Sequence, residues 1–316
     1  MTVDLTPCDT QYQVTVTINP CTRAAIVAAV GVSVLLAACG APSASAGPGQ
    51  TLQIVAGQNF WGSIAAQLGG NHASVTSIVT NPNTDPHVYE SSTRDARAFA
   101  TADYVILNGA GYDDWAGKLL AANPNQNRKT ITVADLLHKK AGDNPHFWYN
   151  PDWVEQVADR ITADFKALDA ANAGYFDQQR ATFRAAMQPY HDRIAKIRSS
   201  FAGIPVASTE SIFVYLAQAL GLNLVSPPDF MKAVAEGNDP PAQTVGAFHD
   251  QLATKQVKML VYNVQTSTNI TDDLKRLAVA NGIPVAGVSE TLQPGGASFQ
   301  EWQDAQLVAL QKALTH

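Results

Sequence analysis

Two short phrases of this 316-residue chain carry residue types suited to metal binding. Asp85-Pro86-His87-Val88-Tyr89 and Asn144-Pro145-His146-Phe147-Trp148 share one order: Asx, proline, histidine, apolar residue, aromatic residue. The chain holds seven histidines, and two of them occupy this same local frame. An Asx side chain closes a turn onto the backbone, and proline fixes φ at about −65°. The histidine is then presented on a stiff corner beside an aromatic ring. Neutral imidazole is a common metal ligand, and a preset ligand loses less freedom on binding. One such phrase alone reads as a turn bearing a surface histidine. Two in the same frame point to a shared ligand set.

The elements that must position these corners alternate along the chain. Short apolar runs at 52–56, 75–80, 104–108, 130–133, 204–208, 259–263 and 284–288 read as strands buried on both faces. Helical stretches such as 60–68, 113–121, 212–220, 271–281 and 299–314 lie between them. This alternation predicts an α/β fold of βαβ units with parallel sheets. The strands form two groups, before residue 135 and after residue 203. The block between them predicts one helix starting at Asn150-Pro151-Asp152 and another over about 172–200. Pro189 falls inside the second and is expected to kink or restart it. Two α/β lobes follow, 51–170 and 203–316, linked by a long helix at 171–202, with the ligand site in the cleft between them.

Composition restricts the function. The chain is 46% hydrophobic and 15% charged, with a formal net charge of −6, so it offers no basic field for a nucleic acid. Mean hydropathy of −0.07 is too low for a polytopic membrane protein. Residues 24–38 form an uncharged apolar run after Arg23, shorter than the ~20 residues that span a bilayer. The run ends in Leu36-Ala37-Ala38-Cys39-Gly40, which resembles a bacterial lipoprotein cleavage site. Residues 1–38 are then a signal peptide, Cys39 is the lipidated first residue, and 39–50 is a flexible Pro/Gly/Ser-rich tether. Cys8 and Cys21 lie upstream of that cut, so the exported chain keeps one cysteine and forms no internal disulfide.

From Leu52 to the C-terminus the chain resembles the zinc/manganese class of ABC-transporter substrate-binding lipoproteins, whose lobes are joined by a helical backbone. The resemblance rests on the two histidine phrases in order behind the lipoprotein motif. Gln58-Asn59-Phe60, Ala102-Asp103-Tyr104-Val105, Ser208-Thr209-Glu210 and Pro284-Val285 support it. It implies one divalent transition metal ion held by four ligands, two from each lobe. His87 and His146 match the first-lobe pair, and Glu210 matches the third ligand. Glu290, in Ser289-Glu290-Thr291-Leu292, stands where the family usually has an aspartate one methylene shorter. Taken alone, Ser208-Thr209-Glu210 reads equally as a helix N-terminal cap, and Glu290 alone as a solvated loop carboxylate.

The resemblance further implies a non-enzymatic, monomeric carrier, lipid-anchored outside the cell membrane, that delivers zinc or manganese to an ABC permease and its ATPase. Two carboxylates and two neutral imidazoles carry −2, which a divalent ion cancels. Many zinc importers of the family have a histidine-rich loop between the first two ligands. Here residues 88–145 contain only His138, which fits manganese or a zinc carrier lacking that loop. An exported metal-dependent hydrolase is the competing class, but the chain has no His-Glu-x-x-His helix and no Gly-x-Ser-x-Gly turn. A surface adhesin is a third class, with no separate sequence feature. His72, His138, His191, His249 and His316 are expected to be solvated.

Overall fold

In a computed structural model the described residues are 51–81 and 89–316. The expected signal peptide, the tether, Cys39 and the His87 phrase up to Val88 lie outside them. The first sheet holds β1 (Leu52–Gln58), β2 (Ala73–Val79), β3 (Tyr104–Leu107) and β4 (Lys129–Thr132) in the order β2-β1-β3-β4. The second holds β5 (Pro205–Ser208), β6 (Asn223–Leu224), β7 (Leu260–Asn263) and β8 (Val285–Val288) in the order β6-β5-β7-β8. Every pairing is parallel. All four residues of β3 and of β7 are buried, as central strands covered on both faces must be.

The helices of the first half are α1 (Asn59–Gly69), α2 (Thr93–Thr101), α3 (Asp114–Ala122), α4 (Val133–Leu136) and α5 (Pro151–Leu168). After α6 (Ala173–Phe201) come α7 (Val214–Leu220), α8 (Pro228–Ala235), α9 (Ala242–Ala253), α10 (Asn269–Ala280) and α11 (Phe299–Thr315). Asn150 caps α5 by accepting hydrogen bonds from the Asp152 and Trp153 amides, with Pro151 at the first helical position. Val133, expected to end a strand, opens α4 instead. The two-residue β6 is too short to leave a sequence pattern.

Pro189 does not restart the helix that contains it. α6 runs 29 residues without interruption through Pro189. At ~1.5 Å per residue it spans over 40 Å, enough to reach across both sheets. Pro189 and Ala185, whose carbonyl loses its intrahelical donor, are both exposed, while Phe183, Met187 and Tyr190 are buried. The missing hydrogen bond therefore faces water, on the side where helical bonds are already longest, and packing of the opposite face holds the helix.

The two sheets share one apolar core. It takes in Ile54 and Ile106 of the first sheet, Val206 and Val261 of the second, and Phe183, Met187 and Tyr190 of α6. At its centre the Phe60 ring stacks on Trp148, with centroids 4.0 Å apart and planes at 25°, and Trp302 of α11 lies 6.5 Å from Phe60. All three side chains are essentially inaccessible to solvent. Smaller clusters around Phe230 and Phe248, and around Phe99 and Val105, fill the outer flanks. Among the described residues no helix is long and apolar enough to cross a membrane.

Phe60→Ala is expected to destabilise the protein by about 3–5 kcal/mol, because the aromatic layer around it cannot collapse into the cavity. Thermal unfolding checks this; an unchanged transition would refute the shared core. Pro189→Ala restores an exposed helical hydrogen bond and is expected to stabilise by about 1–3 kcal/mol, read from the same transition.

Candidate metal centre

His146 precedes a 3-10 turn at Phe147–Tyr149, and local hydrogen bonds fix its ring. The Asn144 Oδ1 accepts the His146 backbone N–H at 3.2 Å, which is the turn closure expected of an Asx-Pro-His phrase. The same oxygen lies 2.6 Å from His146 Nδ1. Asn144 cannot flip its amide away, because its Nδ2 donates to the Ser211 carbonyl at 2.7 Å. Nδ1 is therefore the protonated nitrogen, and Nε2 points into the site. Behind it, Asn108 Nδ2 donates to the Pro145 carbonyl and Asn108 Oδ1 accepts from Trp61 Nε1, tying the corner to β3 and α1.

Two carboxylates of the second half meet that nitrogen. Glu210 follows β5, and its Oε1 lies 3.2 Å from His146 Nε2. Glu290 follows β8, and its Oε2 lies 3.8 Å from the same atom. One ligand atom from each residue falls within 4.8 Å of the others, and all three side chains are fully buried. Donors at ~2.0–2.2 Å from a shared ion adopt separations of this size. The cap reading of Glu210 fails: the residue stands at the N-cap of the Ser211–Phe213 turn, but its side chain makes no capping hydrogen bond. Glu290 is likewise no solvated loop residue.

The residues around the acids are donors. Asn263, the last residue of β7, donates through Nδ2 to Glu210 Oε2 and, at 2.9 Å, to Glu290 Oε1. Thr266 Oγ1 donates to Glu210 Oε2 at 3.0 Å. From the first half, the Tyr112 hydroxyl donates to Glu290 Oε2 at 2.6 Å. Gln265 Oε1 accepts the backbone N–H groups of Glu290 and Thr291, which shapes the loop presenting the second acid. Tyr149 and Trp302 brace Ser289 from below, through its carbonyl and its hydroxyl. Glu210 and Asn263 thus sit at the carboxyl ends of β5 and β7, where the order of the second sheet reverses and ligands collect in open α/β sheets. A cavity of about 570 Å³ borders Tyr112 and Asn144 and is lined by Asp143, Asp229 and Glu236 against one lysine, Lys232, a balance that favours cations.

Burial alone would lower the His146 pKa, but the hydrogen bond and charge of Glu210, followed by those of Glu290, outweigh it and hold it above 6.5. Burial and the two acids also push the Tyr149 phenol well above 10. The sequence singled out His146, Glu210 and Glu290, and the structure brings them together; His87 lies outside the described residues. Asn263, Tyr112 and Gln265 were not anticipated. The available signal for Asn263 was a polar residue closing an otherwise apolar strand.

Two other histidines depart from expectation. His72 packs on the Tyr175 ring with its Nδ1 3.6 Å from Asp169, and His191 Nε2 lies 3.1 Å from Glu155. His72 lies beside the start of α6 and His191 within it, and a nearby acid gives each a partner. His138, His249 and His316 are exposed.

Residues 54–313 match the family described as ZnuA, the periplasmic component A of a zinc-uptake complex. The manganese-binding lipoprotein MntA of Bacillus subtilis (strain 168) is 27% identical over 237 residues, which cover 71% of this chain and 74% of that protein. The periplasmic zinc-binding protein TroA from Treponema pallidum has a TM-score of 0.70 at 14% identity, over 84% of this chain and 99% of that one. A manganese-bound periplasmic metal-binding protein from Candidatus Liberibacter asiaticus has a TM-score of 0.68 at 19% identity, over 84% and 100%. At such identities the two structures speak for the fold, two lobes of parallel sheet and helix. The family comprises extracytoplasmic binding components, not enzymes. Its match takes in both sheets and every residue of the buried His-Glu-Glu group, so the chain belongs to the ZnuA family of periplasmic metal-uptake components.

Proposed function

We propose that the protein binds one divalent transition metal ion, zinc or manganese, through His146, Glu210, Glu290 and His87, and hands it to an ABC permease driven by its ATPase. The observation that carries this reading is the convergence of one imidazole from the first half and two carboxylates from the second, all fully buried. Two ionised acids with a neutral imidazole carry −2, and burial of that charge is costly unless a cation compensates it. His87 joins the set through its repeat of the His146 phrase. Zinc suits the imidazole and manganese the carboxylates, and relatives of both descriptions exist. In this reading Cys39 carries the lipid that keeps a monomeric carrier at the outer face of the cell membrane.

The test is elemental analysis of protein purified without chelator, followed by competitive titration with zinc and with manganese. His146→Ala and Glu210→Gln are each expected to lower affinity by more than about 100-fold, since even supporting residues of metal sites are worth ~10–100-fold. Undiminished metal in both variants would refute the reading.

The same contacts set a pH dependence. Because the acids raise the His146 pKa, its contribution to the stability of the metal-free protein is fully present below 6.5 and is lost as pH rises through the raised value. The metal requires that nitrogen deprotonated. Affinity is therefore expected to fall by about tenfold per pH unit below the raised pKa, while the metal-free protein gains stability relative to His146→Gln. Isothermal titration at a series of pH values checks the first and thermal unfolding without metal the second; pH-independent affinity would refute both.

A further inference from the structure

Asp113 stands immediately before α3, where an aspartate ordinarily caps a helix, yet its side chain makes no capping hydrogen bond. The carboxylate turns back onto the preceding loop instead. Its Oδ2 accepts the Asn108 backbone N–H at 2.6 Å and a hydrogen from Gln58 Nε2 at 3.1 Å. Its Oδ1 accepts the Gly109 backbone N–H at 2.8 Å. The side chain is buried, and it joins the last residue of β1 to the two residues that follow β3. Room for it depends on Gly57, where an added Cβ would lie 3.0 Å from Oδ2.

The loop tied down in this way takes an unfavourable course. Gly109, Ala110 and Gly111 have φ of 76°, 56° and 90°, three left-handed residues in succession, and alanine seldom adopts that conformation. Packing does little to impose it at the tip: Gly111 is exposed, and among the described residues an added Cβ there would meet nothing within 4 Å. The Tyr112 backbone N–H closes the turn onto the Gly109 carbonyl at 3.1 Å. The Tyr112 hydroxyl then reaches from the first half to Glu290 Oε2 in the second, at 2.6 Å. That oxygen has two lone pairs, so it can accept the hydroxyl and still face an ion. Resting on the metal-binding reading above, we propose that Asp113 is a positioning residue of the metal site. It fixes the left-handed loop so that the Tyr112 hydroxyl holds Glu290 toward the ion. The carboxylate itself is required, because each of its oxygens accepts a backbone N–H. An asparagine, whichever way its amide turns, sets an NH2 group against one of those donors.

The experiment uses the full chain and zinc alone, with affinity read by competition against a chelator. Tyr112→Phe and Asp113→Asn are each expected to lower affinity by about tenfold, the scale of a residue that supports a ligand. The double variant is expected to lose no more than Tyr112→Phe, because Asp113 acts through that hydroxyl. A residue that only stabilises the fold would leave the affinity of the folded protein unchanged, or would add its loss to that of Tyr112→Phe. Either result overturns the proposal. If Asp113→Asn does not fold, Gly57→Ala, which presses a methyl group against Oδ2, takes its place in the same cycle with the same criteria. His146→Ala separates the two readings. Zinc retained there at full affinity defeats the metal site itself, whereas zinc lost there with undiminished affinity in Asp113→Asn defeats only the role given to Asp113.

Discussion

Two carboxylates buried side by side are the constraint around which the rest of this protein is organised. Glu210 and Glu290 have no access to solvent, and an isolated ionised acid in such surroundings is far costlier than any single packing contact can offset. Each neighbouring polar group reduces that cost. Asn263, Thr266 and Tyr112 donate hydrogen bonds to the acids, and His146 faces both. Charge-assisted hydrogen bonds of this kind are roughly twice as strong as neutral ones, which is why neutral donors tolerate the acids without cancelling them. In the proposed reading the negative charge that remains is what draws the cation.

The fold supplies these groups from separated parts of the chain by repeating one arrangement. Both sheets have the strand order 2-1-3-4, and in the second the residues that carry or bind the acids follow the carboxyl ends of β5, β7 and β8. The first half contributes His146 and Tyr112 from loops after its own strands. Direct ties cross between the halves. Asn144 donates to the Ser211 carbonyl, Tyr215 donates to the Asn144 carbonyl, and Asn59 accepts from the Leu292 amide. The histidine corner is thus built partly by the half that carries the acids.

Continuity of the core limits how the halves can move. Phe60, Trp148 and Trp302 belong to three different helical segments, yet they pack in a single aromatic layer below the site. α6 packs against helices of both halves, α1 and α5 of the first and α7 and α11 of the second, and its Arg193 pairs with Asp304 of α11. A wide opening would have to separate close-packed rings and expose them to water, at a cost that grows with every square ångström uncovered. Small shifts of the loops that carry Tyr112, Asn144 and Glu290 leave that layer intact. In the proposed reading the ion enters and leaves by shifts of these loops and not by parting of the lobes.

Much of this was legible in the sequence alone because the informative features are local. Buried parallel strands leave uninterrupted apolar runs, Asn150-Pro151 marks a helix start, and an Asx-Pro-His turn closes through its own side chain, as Asn144 does. Whether Pro189 breaks its helix was not legible in the same way: that depends on which face of α6 meets water, and only the packing of Phe183, Met187 and Tyr190 decides it. The repeated histidine phrase pointed to its own two residues by type and order, whereas Glu210 and Glu290 were named as ligands only by the family resemblance. Their convergence, the burial that makes two glutamates costly, and the placement of Asn263 between them were decided by tertiary structure. Asn263 lies 53 positions from Glu210 and 27 from Glu290, and residues so separated meet only when the strands pair, so no short-range pattern records a hydrogen bond between them.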